Sequence, residues 1–184
     1  MEARACNVCK AHLPHEPRPV FRVGRTARLL IVGQAPGRRV HESGLPWNDP
    51  SGDVLREWLA LDRETFYDTS RIAIVPMGLC YPGTVEGADL PPRRECAPLW
   101  QPRFRSSLPD IRLTLLVGQY AQGFYLGERK KQTLGVTVKA YKEYLPEFFV
   151  LPHPSWRNKG WIKRNRWFTT NVIPELRKRV SVVV

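Results

Sequence analysis

The sequence lacks several features that mark common functional classes. It has no apolar run near the roughly eighteen residues of a membrane-spanning helix. It also lacks the G-x-G-x-x-G turn of dinucleotide-binding folds and the Walker phosphate loop, which argues against an ordinary nucleotide-binding or electron-transfer protein. The opening decapeptide MEARACNVCK carries no apolar signal core, so we expect a cytoplasmic protein.

Acidic residues are scarce relative to basic ones. The chain has 17 Asp and Glu against 29 Lys and Arg, a formal net charge of +12. Such an excess favours a polyanionic partner, and nucleic acid is the leading candidate. An anionic membrane surface is the rival, but we find no long amphipathic helix with a basic face and expect no membrane association. A basic composition can also serve solubility alone.

The length favours one folding unit. A chain of 184 residues can bury a sizeable core but is short for two domains. We therefore expect one domain over residues 1–184, with an N-terminal arm over residues 1–27, and a monomer.

Apolar segments alternate with helical patterns along the chain. Four segments predict buried strands: 29–32, 71–76, 112–118 and 148–151. We also expect a small extra strand over 133–139 and a terminal helix over 162–180 that is interrupted near Pro174. This alternation predicts an α/β fold, a three-layer α/β/α sandwich with a central four-stranded parallel sheet.

Cysteine occurs four times, at Cys6, Cys9, Cys80 and Cys96. The first two form a C-x-x-C pair, and fifteen residues separate the last two. Disulfides are rare in cytosolic proteins, so this pattern favours metal ligation. Thiolates suit zinc or an iron–sulfur cluster, and either would tie the arm to the middle of the chain. Four buried thiols that act as small apolar side chains are the alternative.

A long loop follows the first predicted strand. Its G-Q-A-P-G segment, residues 33–37, can turn sharply and bring backbone N–H groups close to a ligand. It is then rich in titratable and aromatic side chains: His41, Glu42, Trp47, Asn48, Asp49 and Asp53. Because α/β active sites lie at the carboxyl edge of the sheet, we expect a site here. The alternative is an ordinary connection, with Ser51 or Asp53 capping the next helix.

A second loop follows the last predicted strand and should lie at the same edge of the sheet. Residues 153–166 carry five basic side chains and two tryptophans but no carboxylate. Basic groups neutralise phosphates, and a bulky side chain can wedge into a base stack. We expect DNA contacts from Ser155, Trp156, Arg157, Asn158 and Lys159. A solvated basic face with its tryptophans in the core is the alternative.

Together these residues resemble the uracil-DNA glycosylase superfamily, most closely its iron–sulfur branch, often called family 4. Residues 33–37 are similar to the branch's GEAPG motif. After six intervening residues, G-L-P-W at 44–47 is similar to its G-x-P-F. H-P-S at 153–155 matches the second motif, and the four cysteines match the cluster-binding pattern.

The resemblance implies a monofunctional DNA glycosylase of base excision repair, which hydrolyses the N-glycosidic bond of a flipped-out base. It implies a 4Fe–4S cluster on the four cysteines, with zinc as the alternative. Negative charge develops on the departing base, so donors aimed at its oxygen lower the barrier. The implied donors are the ring N–H of His153 and the backbone N–H of Gln34. Trp47 would stack on the base, while Gly33 and Ala35 line the pocket.

The chain departs from the family pattern at several positions. Ala35 stands where uracil-specific enzymes place a water-activating aspartate, and Gln34 replaces the branch's usual glutamate. The water activator is therefore open among, in this order, Asp49, Glu42, His41 and Asp53. Pro76 stands where the branch has an asparagine that reads uracil. Asn48 could supply a replacement amide, or the pocket could accept hypoxanthine or xanthine.

Two functions therefore remain open. The first is a glycosylase that removes deaminated bases from DNA, which His153 and Trp47 favour. The second is a non-catalytic, metal-stabilised nucleic-acid-binding protein on the same scaffold. Ala35 and Pro76, at positions where the family has functional side chains, favour this second reading.

Overall fold

Six short strands organise the structure, a computed structural model that describes residues 2–184. In chain order they are β1 (Leu29–Val32), β2 (Ile72–Ile74), β3 (Thr84–Val85), β4 (Ala88–Asp89), β5 (Leu113–Val117) and β6 (Phe148–Leu151). Four of them form a parallel sheet in the order β2-β1-β5-β6, and β3 and β4 form a separate antiparallel hairpin. Every residue of the four-stranded sheet is buried, which explains its continuous apolar sequence.

Eight α-helices flank this sheet in the described chain. They are α1 (Arg38–Ser43), α2 (Pro50–Leu59), α3 (Arg63–Tyr67), α4 (Cys96–Ser107), α5 (Gln119–Leu126), α6 (Leu134–Lys139), α7 (Lys159–Arg164) and α8 (Ile173–Val183). The predicted α/β fold with a central four-stranded parallel sheet is confirmed. Among residues 2–184, no helix has both the length and the apolar character that crossing a bilayer requires.

Strand β5 lies between β1 and β6. It therefore sets the distance between the loop that follows β1 and the loop that follows β6. Val32 pairs with Leu116, and Val117 pairs with Leu151, so all three strands end at one edge. The loops that follow β1 and β6 therefore leave the sheet on the same side.

Helix α2 begins differently from the prediction. Asp49, rather than Ser51 or Asp53, is its N-cap, because its carboxylate accepts a hydrogen bond from the backbone N–H of Gly52 at 2.8 Å. Pro50 occupies the first turn, where its missing N–H removes no helical bond. Asp53 lies one turn further on and pairs with Arg56.

Two other expectations were wrong. Residues 133–139 form helix α6 rather than a strand, because the Thr133 hydroxyl caps the first turn by accepting from Val136 N–H at 3.2 Å. The terminal segment does not break at Pro174, which sits in the first turn of α8 and is tolerated there. It breaks between α7 and a π-type turn at Phe168–Val172.

Candidate active site

The loops after β1 and β6 meet at one cavity at the carboxyl edge of the sheet. The cavity is small, about 40 Å³. Four side chains that can stack, donate or accept line it: Gln34, Trp47, Asp49 and His153. The remaining wall is mostly apolar and includes Val20, Val40, Ile74 and Pro76. A small cavity in which apolar walls and a few polar groups meet suits a flat heterocyclic ligand.

Trp47 is fixed in a strained backbone conformation. Its φ is +59°, a left-handed value that non-glycine residues rarely adopt, and only 9% of its surface is exposed. Its ring lies against the backbone of Gly33, where an added Cβ would be 2.7 Å from Trp47 Cζ2. Its carbonyl accepts a hydrogen bond from Arg56 at 3.3 Å and lies where a Cβ on Gly52 would collide with it. Strain held this firmly is typical of a functional position.

His153 lies next to Trp47 in the cavity lining. The two ring centroids are 5.4 Å apart and the ring planes are tilted by 32°. Burial lowers the pKa of His153 to about 4, against the opposing effect of the Asp89 carboxylate. The imidazole is therefore neutral at pH 7 and offers one N–H donor. Asn158 holds this loop by donating to the carbonyl of His153 at 2.7 Å.

The loop at Gln34 presents a free backbone donor. The carbonyls of Gly33 and Gln34 accept hydrogen bonds from Met77 at 3.0 Å and Gly78 at 2.9 Å, which fix the loop. The N–H of Gln34, by contrast, donates to no other group within residues 2–184. A rigid loop with an unused N–H at a cavity is suited to bind an anionic oxygen.

Asp49 lines the cavity with a carboxylate of fixed orientation. Burial raises its pKa, although hydrogen bonds from the backbone of Gly52 and Ser51 oppose the change. The hydrogen bond of the helix cap therefore fixes the direction of the Asp49 carboxylate. The residues around the carboxylate exclude part of the solvent from it.

Two predicted candidates for water activation lie outside the cavity lining. The His41 ring packs against His15 and Tyr81, with centroids 5.1 and 5.8 Å away. Glu42 is exposed and pairs with Arg38 at 2.9 Å. Helix α1 carries both side chains away from the lining residues.

Two further candidates are also absent from the cavity lining. The side-chain oxygen of Asn48 accepts a hydrogen bond from Arg63 at 2.9 Å, so its amide does not replace the missing asparagine. Asp53 pairs with Arg56. Of the four proposed water activators, the structure brings only Asp49 to the cavity.

A wider groove opens from the cavity and shares Gln34, Asp49 and His153 with it. The loop after β6 contributes Ser155, Trp156, Arg157 and Asn158 to its wall. Trp156 is 73% exposed with Arg157 beside its ring, so it is not a core tryptophan. Trp161 packs against Trp167 and Phe168 instead. Lys159 is exposed at the start of α7 and is not part of the groove wall.

Sequence reasoning missed the hairpin on the other side of this groove. Strands β3 and β4 place Gly87 and Asp89 in the wall, and Arg157 donates to the Gly87 carbonyl at 3.4 Å. The only sequence signal was the G-T-V-E-G turn at 83–87 within a Pro- and Gly-rich segment. Tyr120, at the start of α5, was also missed.

The four cysteines line a second small cavity, about 20 Å³. All four are free thiols. The backbone N–H of Leu79 donates to the Cys96 sulfur and the indole N–H of Trp100 donates to the Cys6 sulfur, both at 3.3 Å. The fold thus places the cysteines of the N-terminal arm and those of the 80–96 segment at the same cavity.

Burial raises the pKa of the two most deeply buried thiols. It raises the pKa of Cys80 to about 11 and of Cys96 to about 12, so both are protonated at neutral pH unless a cation stabilises the thiolate. Within residues 2–184, no three His, Cys, Asp or Glu side chains are arranged to hold a single metal ion.

Comparison with known proteins adds two findings. The family model for the uracil DNA glycosylase superfamily matches residues 21–177. A solution NMR structure of a candidate uracil DNA glycosylase from Methanosarcina acetivorans aligns with a TM-score of 0.53 at 14% identity. That alignment covers 90% of this chain and 98% of the other, so the likeness concerns the fold over nearly the whole length.

Proposed function

Because the chain belongs to the uracil DNA glycosylase superfamily, we propose that it is a monofunctional glycosylase that removes deaminated bases from DNA. Family membership supports glycosylase activity on DNA in base excision repair; the kind of base and the residue roles are our proposal. The observation that carries it is the cavity in which Gln34, Trp47 and His153 converge, at the inner end of the groove.

Two donors would stabilise the departing base. As the N-glycosidic bond breaks, its electron pair leaves on the base and negative charge collects on a carbonyl oxygen. His153, with its neutral ring, and Gln34, with its unused N–H, both line the cavity, and hydrogen bonds hold the loop of each. Donors that need no reorganisation contribute most to such a step.

Trp47 would bind the face of the base. Its ring is buried, packs against Gly33 and lies 5.4 Å from the His153 ring, so the part of it that lines the cavity has a fixed orientation. Stacking on an aromatic ring is tolerant of base identity because every base has a π face.

The carboxylate of Asp49 would act at the sugar. Positive charge develops on the sugar carbon as the bond breaks, and a fixed carboxylate beside it is stabilising. Asp49 lines both the cavity and the groove, where the base and the sugar of a flipped nucleotide would lie.

The cavity favours a class of bases over a single base. Pro76 lines the wall and Asn48 is turned toward Arg63, so neither supplies an amide that reads uracil. Deamination always leaves a carbonyl oxygen where an amino group stood, and the two donors would bind an oxygen of this kind. We therefore propose uracil, hypoxanthine and xanthine as substrates.

We also propose that Cys6, Cys9, Cys80 and Cys96 hold a 4Fe–4S cluster. The four thiols share one cavity, and two of the sulfurs accept N–H hydrogen bonds of the kind that tune such clusters. When bound, the cluster would cross-link the arm to the 80–96 segment. Base removal needs no step at this site.

The decisive experiment incubates the protein with oligonucleotides that each carry one uracil, hypoxanthine or xanthine, then cleaves abasic sites with alkali. We expect strand breaks at the modified base and none in unmodified DNA. Binding without breaks on any substrate would instead support the non-catalytic nucleic-acid-binding protein, which Ala35 and Pro76 favour.

A further inference from the structure

The hairpin of β3 and β4 presents a carboxylate to the groove. Asp89 lines the groove together with Asp49 and His153, yet it does not line the inner cavity. One of its oxygens lies 3.2 Å from the position of a Cβ on Gly37, so the side chain reaches the loop after β1.

Asp89 is held in this position from two sides. Its other oxygen accepts a hydrogen bond from the Thr84 hydroxyl at 3.0 Å, and the Tyr81 hydroxyl bonds to that of Thr84. Across the groove, Arg157 binds the hairpin through the carbonyl of Gly87. The carboxylate is exposed, but its direction is constrained.

A carboxylate here is unfavourable for DNA binding alone. The groove would face phosphates, and a negative charge in it repels them. The chain has basic residues in excess, so a neutral or basic side chain would serve affinity better at this position. The negative charge of Asp89 therefore points to a function other than binding.

Asp89 is exposed and lines a groove that is open to solvent, so water can reach its carboxylate. If the base occupies the inner cavity, the sugar lies in the groove, and water attacks the sugar carbon on the face opposite the base. Asp49 lines both spaces, whereas Asp89 lines the groove alone. We propose that Asp89 is a second catalytic carboxylate, which orients and deprotonates the attacking water; this rests on the proposed glycosylase function.

The step balances as a hydrolysis. The bond between C1′ and the base nitrogen breaks, and its electron pair leaves with the base toward His153 and Gln34. The water oxygen forms the new bond to C1′ and passes one proton to Asp89. That proton is released to solvent, from which the base anion takes one up. Asp49 takes no part in this proton transfer.

The test compares Asp89→Asn with Glu86→Gln, which makes the same charge change at the tip of the same hairpin but outside the groove lining. Single-turnover rates are measured on whichever modified oligonucleotide the wild type cleaves, and binding is measured on undamaged DNA of equal length. We expect Asp89→Asn to lower the rate about 100-fold, as for loss of a general base, while its DNA affinity is unchanged or tighter. Glu86→Gln should cleave within about twofold of the wild-type rate.

Three outcomes would overturn the inference while leaving the glycosylase function intact. One is cleavage by Asp89→Asn within about threefold of the wild-type rate. The second is a slow Asp89→Asn that also binds undamaged DNA more weakly, because a disturbed hairpin would then explain both losses. The third is an equal rate loss in Glu86→Gln. If the wild type itself cleaves none of the three oligonucleotides, the proposed function fails and the inference fails with it.

Discussion

The indole ring of Trp47 lies 5.4 Å from the imidazole of His153, although the two residues come from loops on opposite sides of β5. Both rings line the cavity, and burial of the imidazole there lowers its pKa. The same burial that suits a stacked base therefore keeps His153 neutral, which makes it a hydrogen-bond donor rather than a cation.

Replacing His153 should abolish most of the activity. We expect His153→Ala to lose about 2.7–4 kcal/mol of transition-state stabilisation, or roughly 10²–10³-fold in rate, as for loss of one oxyanion donor. Single-turnover cleavage measures the effect. His12→Ala, at an exposed histidine away from the cavity, should leave the rate unchanged. An unchanged rate in His153→Ala would remove that residue from the mechanism.

His153 should also make the fold sensitive to acid. Its pKa is about 4 in the folded protein against an ordinary value near 6.5, so the unfolded chain takes up a proton first. Its stabilising contribution is present above pH 6.5 and is lost as the pH falls toward 4, by about 3 kcal/mol. Urea unfolding at pH 7 and pH 4 measures the loss, which should be smaller in His153→Gln. Equal losses in the two proteins would contradict the assignment.

Two substitutions of Asp49 distinguish its proposed catalytic role from its role as the cap of α2. Asp49→Asn keeps a side-chain oxygen that can cap α2 and removes a charge that burial disfavours, since the folded pKa is raised. Because burial raises the folded pKa, the ionised carboxylate costs stability, so the variant should melt at the same temperature or higher while its rate falls about 100-fold. Asp49→Ala, which also loses the cap, should be destabilised by about 1 kcal/mol. A full rate in Asp49→Asn would exclude the proposed role at the sugar.

Two helical glycines offer a matched test of how Trp47 is held. A Cβ on Gly52 would collide with the Trp47 carbonyl, whereas a Cβ on Gly123 in α5 meets nothing within 4 Å. We expect Gly52→Ala to lose more than about 2 kcal/mol of stability and Gly123→Ala to be neutral or stabilised. Urea unfolding followed by tryptophan fluorescence measures both. Similar stabilities for the two variants would mean that the Gly52 contact can relax.

The cysteine cavity predicts a coloured protein. Anaerobically purified protein should contain iron and absorb light at about 400 nm, as thiolate-bound iron does. Cys96→Ser should lose most of this absorbance and, because the arm is no longer cross-linked, unfold at a lower temperature. A colourless protein that contains one zinc ion would refute the cluster.

The sequence was most informative where a segment is buried on all sides. Strands β1 and β6 match their predicted bounds because a parallel strand covered on both faces must be apolar throughout. That both loops leave one edge of the sheet followed from the same pattern. The short distance between Trp47 and His153 could not be predicted, because it depends on how two loops from distant parts of the chain pack together.

Other features depend on contacts that no local pattern encodes. The hairpin that carries Asp89 has strands of two residues each, too short to show periodicity. His41 and Glu42 looked like site residues, but the orientation of α1 turns them toward Tyr81 and Arg38. Residues 133–139 have a β-branched composition, which the Thr133 cap overrides.

The position of β5 between β1 and β6 has a consequence for how the protein reaches its native state. Gln34 and His153 can face one cavity only after β1 has paired with β5 and β5 with β6. Such pairings join distant parts of the chain and form slowly. Catalytic competence should therefore appear only with the last, long-range stage of folding, after local helices have already formed.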